Sequence, residues 1–290
     1  MSDWGSLLYT KSGVRLRHHS GDGQDVAGRR LNWLLLPGGP GIGSESLHEL
    51  ADALSVPGDI WLVDLPGDGS NRTPPGASAD PFQGWPGVLV EAAQTLPNVV
   101  FAGHSTGGMY LLATPALEAH IVGLALLDTA PDSGWYAQFI DMTLRYPLPA
   151  VTAATAAYEA NRTDANIAAI AVASAEWNFT PDGLATGRAL LARMPYNGAA
   201  VDWSDANFDH SYKAVWWPQS LPVLMLAGAQ DRIVWQGGWE EPRFHTANGL
   251  FRSIPDAGHF PWIENPQAVS AAFSELASRI ADAARKESKT

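Results

Sequence analysis

The sequence predicts an α/β protein: a mostly parallel central sheet flanked by helices, with a block of helices inserted before the last strands. Three observations carry this. Short apolar runs at 31–36, 59–64, 98–102 and 121–128 alternate with helix-like stretches, an order that builds a parallel sheet covered on both faces. The alternation stops over 132–213 and resumes at 222–228. The run ending at Ala102 passes into Gly103-His104-Ser105-Thr106-Gly107-Gly108, which reads as strand, sharp turn and helix with a serine at the apex. Residues 1–131 with 214–290 are therefore expected to form the core domain. Residues 132–213 are expected to form a helical cap over the carboxyl edge of the sheet, where open α/β folds bind ligands.

Taken in order, 6–10 and 14–19 read as short strands of an edge hairpin joined by Lys11-Ser12-Gly13. The continuous apolar run 31–36 suits a strand buried on both faces. It ends in Pro37-Gly38-Gly39-Pro40-Gly41-Ile42-Gly43, and a helix opens at Ser44 or Glu45 and runs to about Leu54. The strand 59–64 follows, then a helix within 81–96 whose start is blurred by Gly84, Pro86 and Gly87. After the serine turn and its helix, 121–128 is another buried strand. The alanine-rich stretch 132–213 reads as helices broken at Pro147, Pro149, Pro181 and Pro195. Residues 250–254 are the expected last strand. Residues 267–285 form an amphipathic helix with Val269, Ala272, Phe273, Leu276 and Ile280 on its buried stripe, and 286–290 are expected to fray.

Composition excludes several classes. With 290 residues, 46% of them hydrophobic, the chain can bury one large core. The net charge of −12 and the absence of a basic run argue against a nucleic-acid partner. No cysteine is present, which removes disulfides, thiolate metal sites and cysteine nucleophiles. Residues 1–6 lack the basic start and apolar core of a leader. No apolar run is long enough to span a bilayer, so a cytoplasmic protein without membrane attachment is expected. Gly39-Pro40-Gly41-Ile42-Gly43 does not complete a dinucleotide fingerprint, because serine occupies both candidate third positions, Ser44 and Ser46. No metal or organic cofactor is implied, and the oligomeric state is open.

A serine hydroxyl is a poor nucleophile at neutral pH. It needs a base, a carboxylate to orient that base, and donors for the oxyanion. Ser105 is the candidate nucleophile. Asp231, just past the strand 222–228, is the candidate acid, with Asp128 at the end of 121–128 as its competitor. His259, in Asp256-Ala257-Gly258-His259-Phe260-Pro261, is the candidate base, whereas His104, beside the serine, lacks such a setting. Thr106 would supply one oxyanion N–H. Gly39 would supply the other, because Pro40 has none. Each such donor stabilises a transition state by about 2.7–4 kcal/mol.

Together, Pro37-Gly38-Gly39-Pro40-Gly41, Gly103-His104-Ser105-Thr106-Gly107, Gly228-Ala229-Gln230-Asp231 and Gly258-His259-Phe260-Pro261-Trp262-Ile263-Glu264-Asn265-Pro266 resemble an α/β-hydrolase with a helical cap. The glycine loop is most similar to that of proline iminopeptidases and related serine aminopeptidases, although Pro37 stands where those enzymes carry histidine. His104 and Thr106 also depart from the elbow of that subgroup. The resemblance implies a serine hydrolase that cleaves an ester or amide through a Ser-His-Asp triad and an acyl-enzyme. An aminopeptidase, a C–C bond or lactone hydrolase, and a ligand receptor on the same fold are the alternatives. It also implies cap glutamates that hold a substrate amine, for which Glu159 and Glu176 are candidates. Independently, the aromatic residues of 132–213, Trp135 and Trp177 among them, suggest a pocket for an apolar or aromatic substrate group. The expected partner is a small molecule or short peptide.

Overall fold

The chain begins with two short strands, β1 (Leu7–Tyr9) and β2 (Arg15–Gly21), paired antiparallel at the sheet edge as expected for a hairpin. The computed structural model describes residues 6–287. Residues 1–5 of the leader expectation, and 288–290 of the stretch expected to fray, lie outside the described residues.

The next strand, β3 (Asn32–Leu36), is buried at all five positions. Successive side chains of a strand point to opposite faces. Trp33 and Leu35 accordingly enter one core layer, while Leu34 and Leu36 enter the other. A 3-10 turn (Ser44–Leu47) leads into α1 (His48–Ala53), so the helix expected here is tighter at its start. Then come β4 (Asp59–Asp64), α2 (Trp85–Gln94), β5 (Val99–His104), α3 (Thr106–Leu112) and β6 (Ile121–Leu127). A 3-10 turn, Phe82–Gly84, replaces the first part of the helix expected from residue 81, and Pro86 sits in the first turn of α2. Proline is tolerated there because its missing N–H has no intrahelical acceptor.

Between β6 and β7 (Val223–Gly228) the chain runs through α4 (Gly134–Arg145), α5 (Pro149–Ala160), α6 (Asp164–Ala173), α7 (Ala175–Asn178), α8 (Leu184–Ala192) and α9 (Gly198–Ser204). Side-chain caps start two of them: Thr163 accepts from the Asn166 N–H at 3.3 Å, and Asn197 accepts from the Ala199 N–H at 3.2 Å. The two ends of this insertion meet in an isolated antiparallel bridge between Asp132 and Lys213. The chain closes with β8 (Gly249–Ile254), the short α10 (Pro261–Glu264) and α11 (Pro266–Glu287). The sequence reading did not separate α10 from the loop that holds His259.

The eight strands lie in the order β1-β2-β4-β3-β5-β6-β7-β8, and every pair from β4 to β8 is parallel. From β3 the chain moves to β4 on one side and then to β5 on the other. Such a reversal opens a crevice at the carboxyl ends of the strands. The glycine loop after β3, Ser105 after β5, Asp128 after β6, Asp231 after β7 and His259 after β8 all lie at that edge.

Candidate active site

Ser105 sits between β5 and α3 with φ 50° and ψ −125°, a strained conformation for a residue with a side chain. Several hydrogen bonds hold it. Its N–H donates to the Leu127 carbonyl at 2.8 Å, and its carbonyl accepts from the Thr129 hydroxyl at 2.7 Å and the Gly108 N–H at 3.0 Å. The glycines around it are needed for space. A Cβ on Gly103 would lie 2.6 Å from the Gly108 nitrogen, and one on Gly107 would lie 2.4 Å from the Pro37 carbonyl oxygen. Strand, glycine loop and helix can therefore close on one another only with these residues.

His259 and Asp231 meet: Nδ1–H of His259 donates to Asp231 Oδ2 at 3.0 Å. Asp231 Oδ1 accepts from the backbone N–H groups of Ile233 and Val234 at 2.8 and 3.2 Å. Its carboxylate is thus held by three donors, and the imidazole keeps its Nε2 lone pair free for a proton. The His259 loop is fastened from the insertion and from α10. The His259 N–H donates to the Asn178 carbonyl at 2.8 Å, and the Gly258 N–H donates to Glu264 Oε2 at 2.6 Å. Glu264 Oε1 accepts in turn from the N–H and hydroxyl of Thr180 at 2.8 and 2.6 Å.

His104, set aside by the sequence reading, lies against His259 with ring centroids 4.7 Å apart. Its Nε2–H donates to the His259 carbonyl at 2.9 Å, which fixes its tautomer. Burial, reinforced by His259, holds this imidazole well below its ordinary range, and it stays neutral. The unfolded chain then binds the proton more readily than the fold. This part of the stability is full above the ordinary imidazole value of 6.5 and is lost as pH falls below it. His104→Gln should flatten the acid-side decline in denaturant midpoint between neutral pH and about pH 5. Equal slopes in the two proteins would assign the decline to other groups.

The glycine loop after β3 approaches the serine closely. A Cβ on Gly38 would lie 2.6 Å from the Ser105 Cβ, and Gly39, with φ 108°, borders the same cavity as Ser105. Thr106 is the first residue of α3, and its hydroxyl lies 3.4 Å from the Gly39 carbonyl. The loop is anchored on both sides. The Gly41 N–H donates to Asp68 Oδ1 at 2.8 Å, and the Gly41 carbonyl accepts from the Asn197 N–H at 2.8 Å. Burial beside the negative charge of Asp64 pushes the Asp68 carboxyl up to about 8.

Above Ser105 and His259 opens a cavity of about 500 Å³ walled by the glycine loop and the inserted helices. Of the residues expected from the insertion, Glu159 lines it. Glu176, Trp135 and Trp177 are not among its lining residues. Glu176 points to Arg188 at 2.8 Å. Trp177 is buried edge-on to Phe139 and donates to the Tyr146 carbonyl at 2.8 Å, while Trp135 packs on Tyr136 and Phe139. Three acids not anticipated, Asp202, Asp205 and Asp209, also line it. Their spacing in 202–209 sets them on one helical face, a signal the sequence contained. Asp202 accepts from both Tyr158 and Arg162 at 2.8 Å. Burial, with Asp205 nearby, raises the Asp209 carboxyl. Four acidic residues thus line the cavity with one arginine, Arg162, which is itself bonded to Asp202; Asp205 pairs with His210 at 3.0 Å and Asp209 accepts from the Ser204 hydroxyl at 2.9 Å.

This sheet order, with a serine at a strained strand-to-helix turn, is the architecture of the α/β hydrolases. A family model described as the Alpha/beta hydrolase family matches residues 33–272, and the chain belongs to that family. A pimeloyl-[acyl-carrier protein] methyl ester esterase of Xanthomonas oryzae pv. oryzae is 24% identical over 247 residues, which span 80% of this chain and 89% of that protein. Among solved structures, proline iminopeptidase of Mycobacterium smegmatis superimposes with a TM-score of 0.64 at 19% identity, covering 96% of this chain and 100% of the other. A proline iminopeptidase-related protein of Thermus thermophilus gives 0.69 at 20% identity, covering 96% and 99%. At these identities the structural likeness concerns the fold. No described helix is long and apolar enough to cross a membrane.

Proposed function

We propose that the protein is a serine hydrolase acting on an ester or amide of a small, partly apolar substrate. Ser105 attacks the carbonyl carbon while His259 Nε2 takes the hydroxyl proton. Asp231 holds the imidazole in the tautomer that makes this possible and stabilises the imidazolium that forms. The N–H groups of Gly39 and Thr106 receive the oxyanion. His259 then returns the proton to the leaving group, and water attacks the acyl-Ser105 ester with His259 again as base. Residues 132–213 serve as the cap that encloses the substrate. The observation that carries this reading is the His259–Asp231 hydrogen bond of 3.0 Å at the cavity that Ser105 also lines. A fluorophosphonate probe should label the protein at Ser105, located by mass spectrometry of the modified peptide. Labelling elsewhere, or none, would remove the reading.

A second reading, an aminopeptidase-like hydrolase that anchors an amine, is favoured by the acidic cavity wall. Glu159 and Asp209 in its lining suit a cationic or neutral acyl group and oppose an anionic one. An ester with a free amine should exceed its carboxylate isostere in kcat/KM by at least about tenfold, equivalent to ~1.4 kcal/mol. Glu159→Gln should shrink that ratio. Equal rates on both esters would discard amine recognition and leave the hydrolase reading standing.

A further inference from the structure

Beside the His259–Asp231 pair lies a second carboxyl group with no part in the mechanism above. Asp128 follows β6 with φ 47° and is completely buried. Its Oδ1 accepts from the Gly228 N–H at 2.8 Å, whereas its Oδ2 is buried without a conventional donor. One ligand atom each of Asp128, Asp231 and His259 fall within 4.8 Å of one another. Two buried carboxylates this close repel one another, which favours a proton on one of them. The hydrogen-bond pattern indicates which. Asp231 already accepts from His259, Ile233 and Val234, so its negative charge is well solvated by the protein. Asp128 has one backbone donor and an orphaned oxygen.

We propose that Asp128 is a protonated positioning residue whose Oδ2–H donates to the carboxylate of Asp231 and holds it in register with His259. This rests on the serine hydrolase reading. The proton stays on Asp128 throughout turnover: His259 alone shuttles the proton of Ser105, and Asp231 remains ionised. Of the groups facing Asp128, only the Gly228 N–H favours the carboxylate, and burial and the neighbouring charges outweigh it. Burial comes first, and the negative charges of Asp231 and Glu264 add to it, so that the carboxyl is held well above the usual carboxylate range.

The arrangement makes a specific demand on amide replacements. In Asp128→Asn, Oδ1 still accepts from Gly228 and Nδ2 donates to Asp231, as the acid does. In Asp231→Asn, Asp128 is released from its charged neighbour and ionises. It then accepts from the new amide NH2 and turns the amide oxygen toward His259 Nδ1–H, which keeps the tautomer at the expense of the bonds from the Ile233 and Val234 N–H groups. In the double variant, Nδ2 of residue 128 donates to the amide oxygen of residue 231. The NH2 of residue 231 is then left facing Nδ1, and the imidazole is driven into the wrong tautomer.

The experiment is a kcat cycle over Asp128→Ala, Asp128→Asn, Asp231→Asn and Asp128→Asn with Asp231→Asn, with thermal midpoints recorded for each. Asp128→Ala should lose about 100-fold, the scale of a small displacement of a catalytic group, and Asp128→Asn should recover most of it. Asp231→Asn should retain well over tenfold more activity than the double variant, which should approach the ~10⁴-fold loss of a wrong tautomer. Additive losses, or an Asp128→Asn loss of about 10³-fold or more, overturn the proposal. If Asp128→Ala does not fold, the amide cycle still decides. Carboxyl 13C NMR gives a test independent of turnover: a protonated Asp128 signal at neutral pH supports the assignment, and an ionised one overturns it. Loss of all activity on Ser105→Ala with an additive cycle counts against Asp128 alone, whereas full activity of Ser105→Ala counts against the hydrolase reading.

Discussion

Ser105→Ala is expected to lower kcat by about 10⁶-fold, the loss seen when a serine nucleophile acting as part of a unit is removed. The fold should be almost untouched. Alanine tolerates φ 50° no worse than serine, and the hydrogen bonds that set the turn run through the backbone of residue 105. A stability change within about 0.5 kcal/mol is therefore expected. Single-turnover kinetics on an activated ester, together with a denaturant curve, measures both. Residual turnover of the Ala variant above one-hundredth of the parent would mean that another group attacks the substrate.

His259→Ala is expected to reduce kcat by a similar factor of about 10⁶, because the nucleophile without its base is an ordinary hydroxyl. The double variant with Ser105→Ala should be no slower than either single variant, as expected of a nucleophile and base that act as one unit. His259 borders the cavity, so its removal leaves a void open to small molecules. Exogenous imidazole should partly restore His259→Ala and leave Ser105→Ala inert. Rescue of both variants, or additive losses in the double variant, would separate the two residues into independent roles.

Much of the sheet could be read from one sequence because its strands are buried on both faces. Runs such as 31–36 and 222–228 are almost wholly apolar, and only a covered parallel sheet tolerates that. The start of α2 and the short α10 were harder. Pro86 and Pro261 are each compatible with a loop or with the first turn of a helix, and neighbouring residues decide between them.

The inserted helices were the least legible part. Trp135, Trp177 and Glu176 have the chemistry of a binding pocket, yet two pack among aromatic rings and the third turns to Arg188. Helical periodicity indicates that a residue faces a neighbouring element. It does not indicate whether that element is the substrate cavity or another helix.

The α/β order of elements, the glycine-framed Ser105 and the order of the candidate acid and base are legible in the amino-acid sequence alone. These depend on local backbone geometry and on apolar periodicity, which are properties of contiguous residues. It took the packed fold to reveal that Asp231 rather than Asp128 meets the imidazole, that His104 donates to the His259 carbonyl, and that Asp202, Asp205 and Asp209 join Glu159 at the cavity. Those outcomes turn on distances between residues far apart in the chain. A difference of a few ångströms there decides whether a buried carboxyl group bonds an imidazole or must keep its proton.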